Sequence, residues 1–282
     1  MRWAVVSTSS HEVFGAPCWV SLTARDLAAA ERFYAAVLGW EFRRTRLGEG
    51  FSVAFRGSAP VAGIGAVAGR FGMPVAWTPY FAVEDADVTA GRIRERGATM
   101  GVGPLAFGTG RAGLAADPAG AAFGFWQGEV IPDWTAGREG APVWLELRTR
   151  DAFAAAIFYG EVLGWAGEEP GCCTVSYEHD HVVLRHHRDT VARISGGALE
   201  EDPDPQVRPR WHVHFVVPDL EAAAEAATRM GGRIASAVET SSVSRWMVLA
   251  DAEGALFTVV APQDASAEAV RRAAARAESP EG

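Results

Sequence analysis

One stretch of this chain is written twice, and the copy constrains what the chain can fold into more than any other feature. Glu31-Arg32-Phe33-Tyr34-Ala35-Ala36-Val37-Leu38-Gly39-Trp40 returns as Ala156-Ile157-Phe158-Tyr159-Gly160-Glu161-Val162-Leu163-Gly164-Trp165, an offset of 125 from Trp40 to Trp165. Upstream, Trp19-Val20-Ser21-Leu22 matches Trp144-Leu145-Glu146-Leu147, and Asp26 matches Asp151, in the same register. Later on, Trp77 and Phe81-Ala82-Val83 match Trp211 and Phe215-Val216-Val217, now at an offset of 134 from Trp77 to Trp211. The pair Ala116-Asp117-Pro118-Ala119-Gly120-Ala121 and Ala250-Asp251-Ala252-Glu253-Gly254-Ala255 keeps that second offset. Repetition on this scale means two copies of one structural unit. The 282 residues are enough for two domains. We expect an arm (1–15), a first domain (16–128), a linker rich in Pro, Gly and charge (129–141), a second domain (142–263) and an Ala-, Glu- and Arg-rich tail (264–282).

Each half repeats a strand-helix-strands pattern internally. Trp19 to Thr23 reads as a strand, and Asp26 is placed to cap the helix that follows. Leu27, Phe33, Tyr34, Val37 and Leu38 fall near one face of that helix, and Gly39 stands just past its end. Strands are expected near 51–55, 61–67, 79–83, 113–116 and 122–126, with further helices near 86–96, 152–163 and 220–230.

Asp26-Leu27, Phe33-Tyr34 and Leu38-Gly39-Trp40 together resemble the first-module signature of the vicinal oxygen chelate superfamily of glyoxalases, bleomycin-resistance proteins and extradiol dioxygenases. Asp117-Pro118-Ala119-Gly120 resembles the turn before that family's last strand, and Val61-Ala62-Gly63-Ile64 a strand common in its tandem actinobacterial members. The resemblance implies an α+β fold: four βαβββ modules paired into two glyoxalase-like domains, with curved, mostly antiparallel eight-stranded half-barrel sheets. Which modules pair, one with two and three with four or one with four and two with three, is open at this point. The fold alone assigns no activity.

The resemblance also implies where a divalent metal would be held. The slot seven residues before the first helix's Asp is Trp19 in one half and Trp144 in the other. The matching slots of the second and fourth modules align with Thr78 and His212, and the late-strand slots with Gly124 and Thr258. An indole has a donor and no lone pair for a metal, so His212 is the one competent ligand in either set. No metal and no cofactor is expected. Glu146, His212 and His214 share strand parity and could still converge, as acid–base groups or as metal ligands, in a lyase, isomerase or oxygenase. The run Glu178-His179-Asp180-His181, with His186 and His187 beyond it, reads as a polar hairpin tip.

Ten Trp residues demand either many core positions or an aromatic-lined pocket. Trp40 and Trp165 read as structural. Trp19, Ser21, Thr78, Tyr80, Trp144, Phe125, Trp126 and Phe257 are the residues expected to line a trough for a flat aromatic ligand. Relatives of this type include antibiotic-biosynthesis accessory proteins and drug-sequestering proteins, which makes metal-independent small-molecule binding the leading expectation. Enzyme action through Glu146, His212 and His214 is the alternative, and a structural or interaction module is a further one. The net charge of -9 and the absence of a basic run exclude nucleic acid as a partner. No apolar run is long enough for a membrane span. Three Cys, two of them adjacent, suit reduced thiols in a cytoplasmic protein. A monomer or a homodimer is expected.

Overall fold

The structure, a computed structural model, describes residues 13–44, 48–131, 144–165, 173–178, 181–186, 189–196 and 208–263. The expected tail, nearly all of the linker and most of the arm lie outside these residues, as do His179, Asp180 and His187.

The first half runs β1 (Pro17–Thr23), α1 (Leu27–Leu38), β2 (Glu41–Arg44), β3 (Phe51–Arg56), β4 (Ala59–Gly65), the single-turn α2 (Ala68–Phe71), β5 (Ala76–Ala82), α3 (Ala86–Glu95), β6 (Thr99–Phe107), β7 (Gly110–Ala116) and β8 (Ala122–Gln127). The second half runs β9 (Trp144–Arg148), α4 (Ala152–Leu163), β10 (Cys173–Glu178), β11 (His181–His186), β12 (Asp189–Ser195), β13 (Arg210–Val216), α5 (Leu220–Arg229), β14 (Arg233–Ile234), β15 (Glu239–Thr240), β16 (Ser244–Ala250) and β17 (Leu256–Pro262). Two open α+β sheets result. One has eight strands in the order β2-β3-β4-β1-β5-β8-β7-β6; the other has nine, β10-β11-β12-β9-β13-β17-β16-β14, with β15 on β16. The β1–β5 and β9–β13 ladders are antiparallel and join each half's two modules, so module one pairs with two and three with four.

The local reasons are those of helix ends. Asp26 and Asp151 accept hydrogen bonds from the backbone N–H groups of Ala29 and Ala154, satisfying donors that the first turn leaves open. Gly39 and Gly164 close the helices in the left-handed region, at φ 69° and 79°.

The two sheets turn their backs to each other, and the core between them is aromatic. Trp77 of β5 meets Phe215 of β13 with ring centroids 5.2 Å apart, and Phe81 of β5 meets Trp211 of β13 at 5.4 Å. Tyr34, Trp40 and Trp77 of the first half gather with Phe215 and Phe257 of the second. Tyr159, Trp165 and Trp211 gather with Phe81 and Phe123 of the first. Helix packing crosses in the same way, α1 against α5 and α3 against α4. Four of the Trp residues are therefore structural: Trp40 and Trp165, as expected, and Trp77 and Trp211, for which the sequence carries no such expectation.

The polar seams of this core also cross. The Tyr34 hydroxyl donates to Asp251 Oδ2 at 3.0 Å and accepts from Trp77 Nε1 at 2.9 Å. The Tyr159 hydroxyl donates to Asp117 Oδ2 at 3.1 Å and accepts from Trp211 Nε1 at 2.9 Å. Each Asp also holds its own turn: Asp251 Oδ1 accepts from the N–H groups of Glu253 and Ala255, and Asp117 Oδ1 from those of Ala119 and Ala121. The late-turn motif is thus the far end of a Tyr–Asp bond to the other half. Each half supplies one Tyr-Trp pair and one Asp.

Two expectations are corrected here. Phe125 and Phe257 do not line a trough. Both are fully buried on the helix side, because successive strand residues alternate faces and Gly124 and Thr258 take the trough side. The thiols are not all reduced either: Cys173 is disulfide-bonded, its partner outside the described residues, while Cys18 is a buried free thiol. No helix among the described residues is long and apolar enough to cross a membrane.

Candidate functional site

The face of each sheet turned away from the core carries the candidate site, and cross-strand register lays out its side chains. In the first half, Gly63, Ser21 and Thr78 form one row across β4, β1 and β5. Trp19, Tyr80 and Gly124 form the next across β1, β5 and β8, and Gly65, Thr23 and Ala76 flank the other side. In the second half the same positions hold other chemistry. Arg193, Glu146 and His212 form one row; Trp144, His214 and Thr258 the next; Ser195, Arg148 and Arg210 the flank.

The first trough is neutral. Glycines bring the rings down onto the sheet. A Cβ at Gly63 would lie 2.9 Å from the Trp19 indole nitrogen, and one at Gly124 would lie 2.3 Å from the Tyr80 ring. The Tyr80 ring thus occupies the space above the late-strand slot at Gly124. Burial pushes the Tyr80 phenol up to about 12, with Cys18 adding to the effect, so Tyr80 stays neutral. Phe51 of β3 meets Phe107 of β6 with centroids 5.8 Å apart. Those strands lie near opposite ends of the strand order, so the contact requires the sheet to curl, and it closes one side of the trough. Neither residue was expected; the alternation Phe51, Val53, Phe55 was the available signal. Trp126 lies at the rim on the same face, its indole N–H donating to the Glu129 carbonyl at 3.0 Å.

Substituting Gly124→Ala should cost about 1–3 kcal/mol, because the methyl collides with the near side of the Tyr80 ring rather than with a flexible end. Urea denaturation of the variant checks this. Gly124→Ala/Tyr80→Ala should recover part of the loss.

The second trough is charged and tightly wired. Modules three and four share a sheet, and Glu146, His212 and His214 stand together on one face of it. Glu146 Oε2 accepts from Arg148 Nε at 3.2 Å, and Oε1 accepts from Ser195 Oγ at 2.8 Å. His214 Nε2 lies 3.6 Å from Glu146 Oε2, an electrostatic contact beyond hydrogen-bond length. Burial alone would raise the Glu146 carboxyl, but His214, Arg148 and Ser195 outweigh it and hold the group well below the usual carboxylate range. Burial pulls His212 down to about 3, helped by the positive charges of Arg148 and Arg210. Burial pulls His214 down as well, against the opposing attraction of Glu146. Both imidazoles are therefore neutral at pH 7 and Glu146 is ionised.

Trp144 is not an open platform. It stacks on His214 with centroids 3.9 Å apart and an interplanar angle of 27°, and the Arg193 guanidinium carbon lies 5.3 Å from its ring. Among the described residues, several buried polar atoms in this trough have no hydrogen-bond partner: His212 Nδ1, both ring nitrogens of His214, Thr258 Oγ1 and Arg193 Nε.

These residues do not fit a divalent metal. Neither Trp slot can ligate, Tyr80 covers Gly124, and no group of three or more His, Cys, Asp or Glu among the described residues could hold an ion. The three Arg side chains next to Glu146 and His212 would further repel a cation.

Comparison with known proteins agrees with this architecture. The profile of a family described as a glyoxalase-like domain matches residues 19–125 and again 144–260. The anthracycline biosynthesis protein DnrV of Streptomyces peucetius is 32% identical over 265 residues, covering 87% of this chain and 93% of its own length. The candidate glyoxylase CFP32 of Mycobacterium tuberculosis (strain CDC 1551 / Oshkosh) is 33% identical over 256 residues, covering 88% and 95%. Among solved structures, the Mn(II)-bound glyoxalase from Novosphingobium aromaticivorans has a TM-score of 0.54 at 16% identity, over 88% of this chain and 82% of that one. A catechol 2,3-dioxygenase has a TM-score of 0.54 at 13% identity, over 88% and 87%. At such identities the likeness to solved structures is one of fold.

Proposed function

Since this chain belongs to the glyoxalase-like domain family and carries that domain twice, we propose that it binds a small planar aromatic molecule without a metal, in the trough of its N-terminal half, as an accessory or sequestering protein of antibiotic chemistry. The observation that carries the proposal is the Trp19, Tyr80 and Gly124 row. Where relatives with metal place imidazole or carboxylate, this chain has an indole and a phenol ring laid over glycines. A neutral cleft walled by rings, with Ser21 and Thr78 as the nearby hydroxyls, holds flat apolar ligands by stacking and burial and orients them with few polar contacts. The kinship with anthracycline biosynthesis proteins supports that ligand class, since anthracyclines are built on fused flat rings.

A neutral anthraquinone should quench Trp fluorescence with micromolar affinity, and prior treatment with a chelator should leave the titration unchanged. Trp19→Ala should weaken binding by on the order of 2 kcal/mol, about thirtyfold. Absence of quenching across a broad set of neutral polycyclic aromatics, or binding that appears only with an added divalent ion, would sink the proposal.

One observation favours a second reading, acid–base catalysis in the C-terminal half: an ionised Glu146 lies beside the neutral rings of His212 and His214. Both His rings are buried, at 5% and 2% exposure, so a substrate would have to open the trough to reach them. Any turnover lost in His214→Ala and retained in Trp19→Ala would favour that reading.

A further inference from the structure

Four aromatic rings in the first trough lie down on glycines. A Cβ at Gly65 would stand 2.8 Å from the Phe51 ring, one at Gly63 2.9 Å from the Trp19 indole, one at Gly124 2.3 Å from the Tyr80 ring and one at Gly110 2.5 Å from the Trp126 ring. Each ring therefore fills the space that a side chain at the glycine would need. Cross-strand register puts all of these positions on the trough face. They run across β3, β4, β1, β5, β8 and β7, which are consecutive in the sheet. Glycine weakens a strand, since it packs no side chain and has more freedom to lose. The second half folds on the same lattice without these glycines. Gly65, Gly63, Gly124 and Gly110 correspond there to Ser195, Arg193, Thr258 and Ser244, and Phe51, Tyr80 and Trp126 to His181, His214 and Val260. The ring-on-glycine pairs are thus not a requirement of the fold, and they belong to the first trough.

We propose that this floor selects ligands by flatness and ring count: the N-terminal trough takes a linearly fused polycyclic molecule laid face-down across the strands, and Phe51, Tyr80 and Trp126 set that preference. The inference rests on the aromatic-ligand reading above and deepens it. Two observations carry it besides the floor itself. Phe51, Tyr80 and Trp126 are all half-buried, so each keeps part of its surface accessible. The rows between them, Gly65 with Thr23 and Ala76 and Gly63 with Ser21 and Thr78, carry no charge, so no ion has to be desolvated when a flat apolar molecule settles there. From β3 to β5 is three strand spacings, roughly 14 Å, so Phe51 and Tyr80 lie too far apart for one small ring to reach both. A one-ring compound meets one part of the floor. A fused system meets successive rings, and each stacked pair adds attraction beyond the burial of area. A bent molecule of the same composition loses those contacts, because dispersion falls off steeply over a gap of a fraction of an ångström. Phe107 walls one end, its ring at 73° to that of Phe51 with centroids 5.8 Å apart.

The test uses four neutral ketones, titrated into the full chain and followed by Trp fluorescence: acetophenone, 2-acetylnaphthalene, 2-acetylanthracene and 2-acetyl-9,10-dihydroanthracene, whose central ring is bent. Affinity should rise with each fused ring, and the anthracene ketone should bind at least tenfold more tightly than acetophenone. It should also bind about fivefold more tightly than its bent near-twin, which offers almost the same apolar area; that comparison separates stacking from simple burial. Phe51→Leu and Trp126→Leu, which keep an apolar side chain but lose the ring, should each lower the flat-over-bent ratio about twofold. Circular dichroism identifies any variant that fails to fold, and the ratio in the parent chain then decides. Equal affinity for the flat and bent ketones, or a ratio that both folded variants leave unaltered, overturns the inference while aromatic binding itself stands. No binding by any of the ketones or by the neutral anthraquinone removes the aromatic-ligand reading, and this inference with it.

Discussion

Asp251→Ala should destabilise the chain by roughly 3–5 kcal/mol, and Asp117→Ala by a similar amount. Asp251 is 6% exposed and Tyr34 fully buried. Removing the carboxylate strands the Tyr34 hydroxyl hydrogen and the backbone N–H groups of Glu253 and Ala255 in one step. Tyr34→Phe removes less, about 1–2 kcal/mol, because it leaves the Asp251 turn intact while depriving Trp77 Nε1 of its acceptor. The carboxyls of Asp117 and Asp251 are raised by burial against the pull of their N–H donors, which marks them as groups held in place for their bonds and not for solvation. Urea denaturation of the single and double variants yields the coupling directly. A Tyr34–Asp251 coupling below about 0.5 kcal/mol would contradict the cross-half seam. Equal losses at Asp251 and Asp117 are expected because the two seams are copies. A large inequality would mean that one half carries the interface.

How these seams came about shows what a sequence of this kind does and does not disclose. Tyr34, Trp77 and Asp117 all recur at the two offsets, so each was visible as a repeated residue. Nothing in the repeat says that Tyr34 bonds Asp251 and not Asp117, because identical copies offer both partners equally. Module pairing was hidden for the same reason. The helix ends were legible, since Asp26, Asp151, Gly39 and Gly164 act within a few residues of themselves. The misplacement of Phe125 and Phe257 came from treating a late strand as a whole: parity on that strand is shared by Gly124 and Trp126, and Phe125 must oppose them. Parity also held the signal for Arg148 and Arg210, two residues beyond Glu146 and two before His212. Arg193 had no such signal. It joins the trough only because β12 lies parallel to β9 in a particular register, a fact of tertiary pairing.

The second large effect belongs to acid. Between pH 7 and pH 5 the chain should lose stability, and His212→Gln should remove much of that slope. The His212 pKa falls from 6.5 when unfolded to about 3 when folded, chiefly through burial and then through Arg148, His214 and Arg210. The unfolded chain therefore takes up a proton near pH 6.5 that the folded chain refuses until near pH 3. Stability is fully present above the first value and drains away toward the second. At pH 5 this amounts to about 2 kcal/mol for His212 alone. His214 acts in the same direction. The other charged groups facing this pair are the guanidiniums of Arg148, Arg193 and Arg210. Glu146, with its lowered pKa, stays ionised until the pH falls through its folded value, below the ordinary carboxylate range. Asp117 and Asp251 work the other way, being raised, but only as the pH nears that range. Comparing urea midpoints of parent and His212→Gln at pH 7 and pH 5 cancels those shared contributions and isolates the imidazole. Parallel midpoints for the two proteins at both pH values would mean that the ring is protonated or solvated in the folded chain.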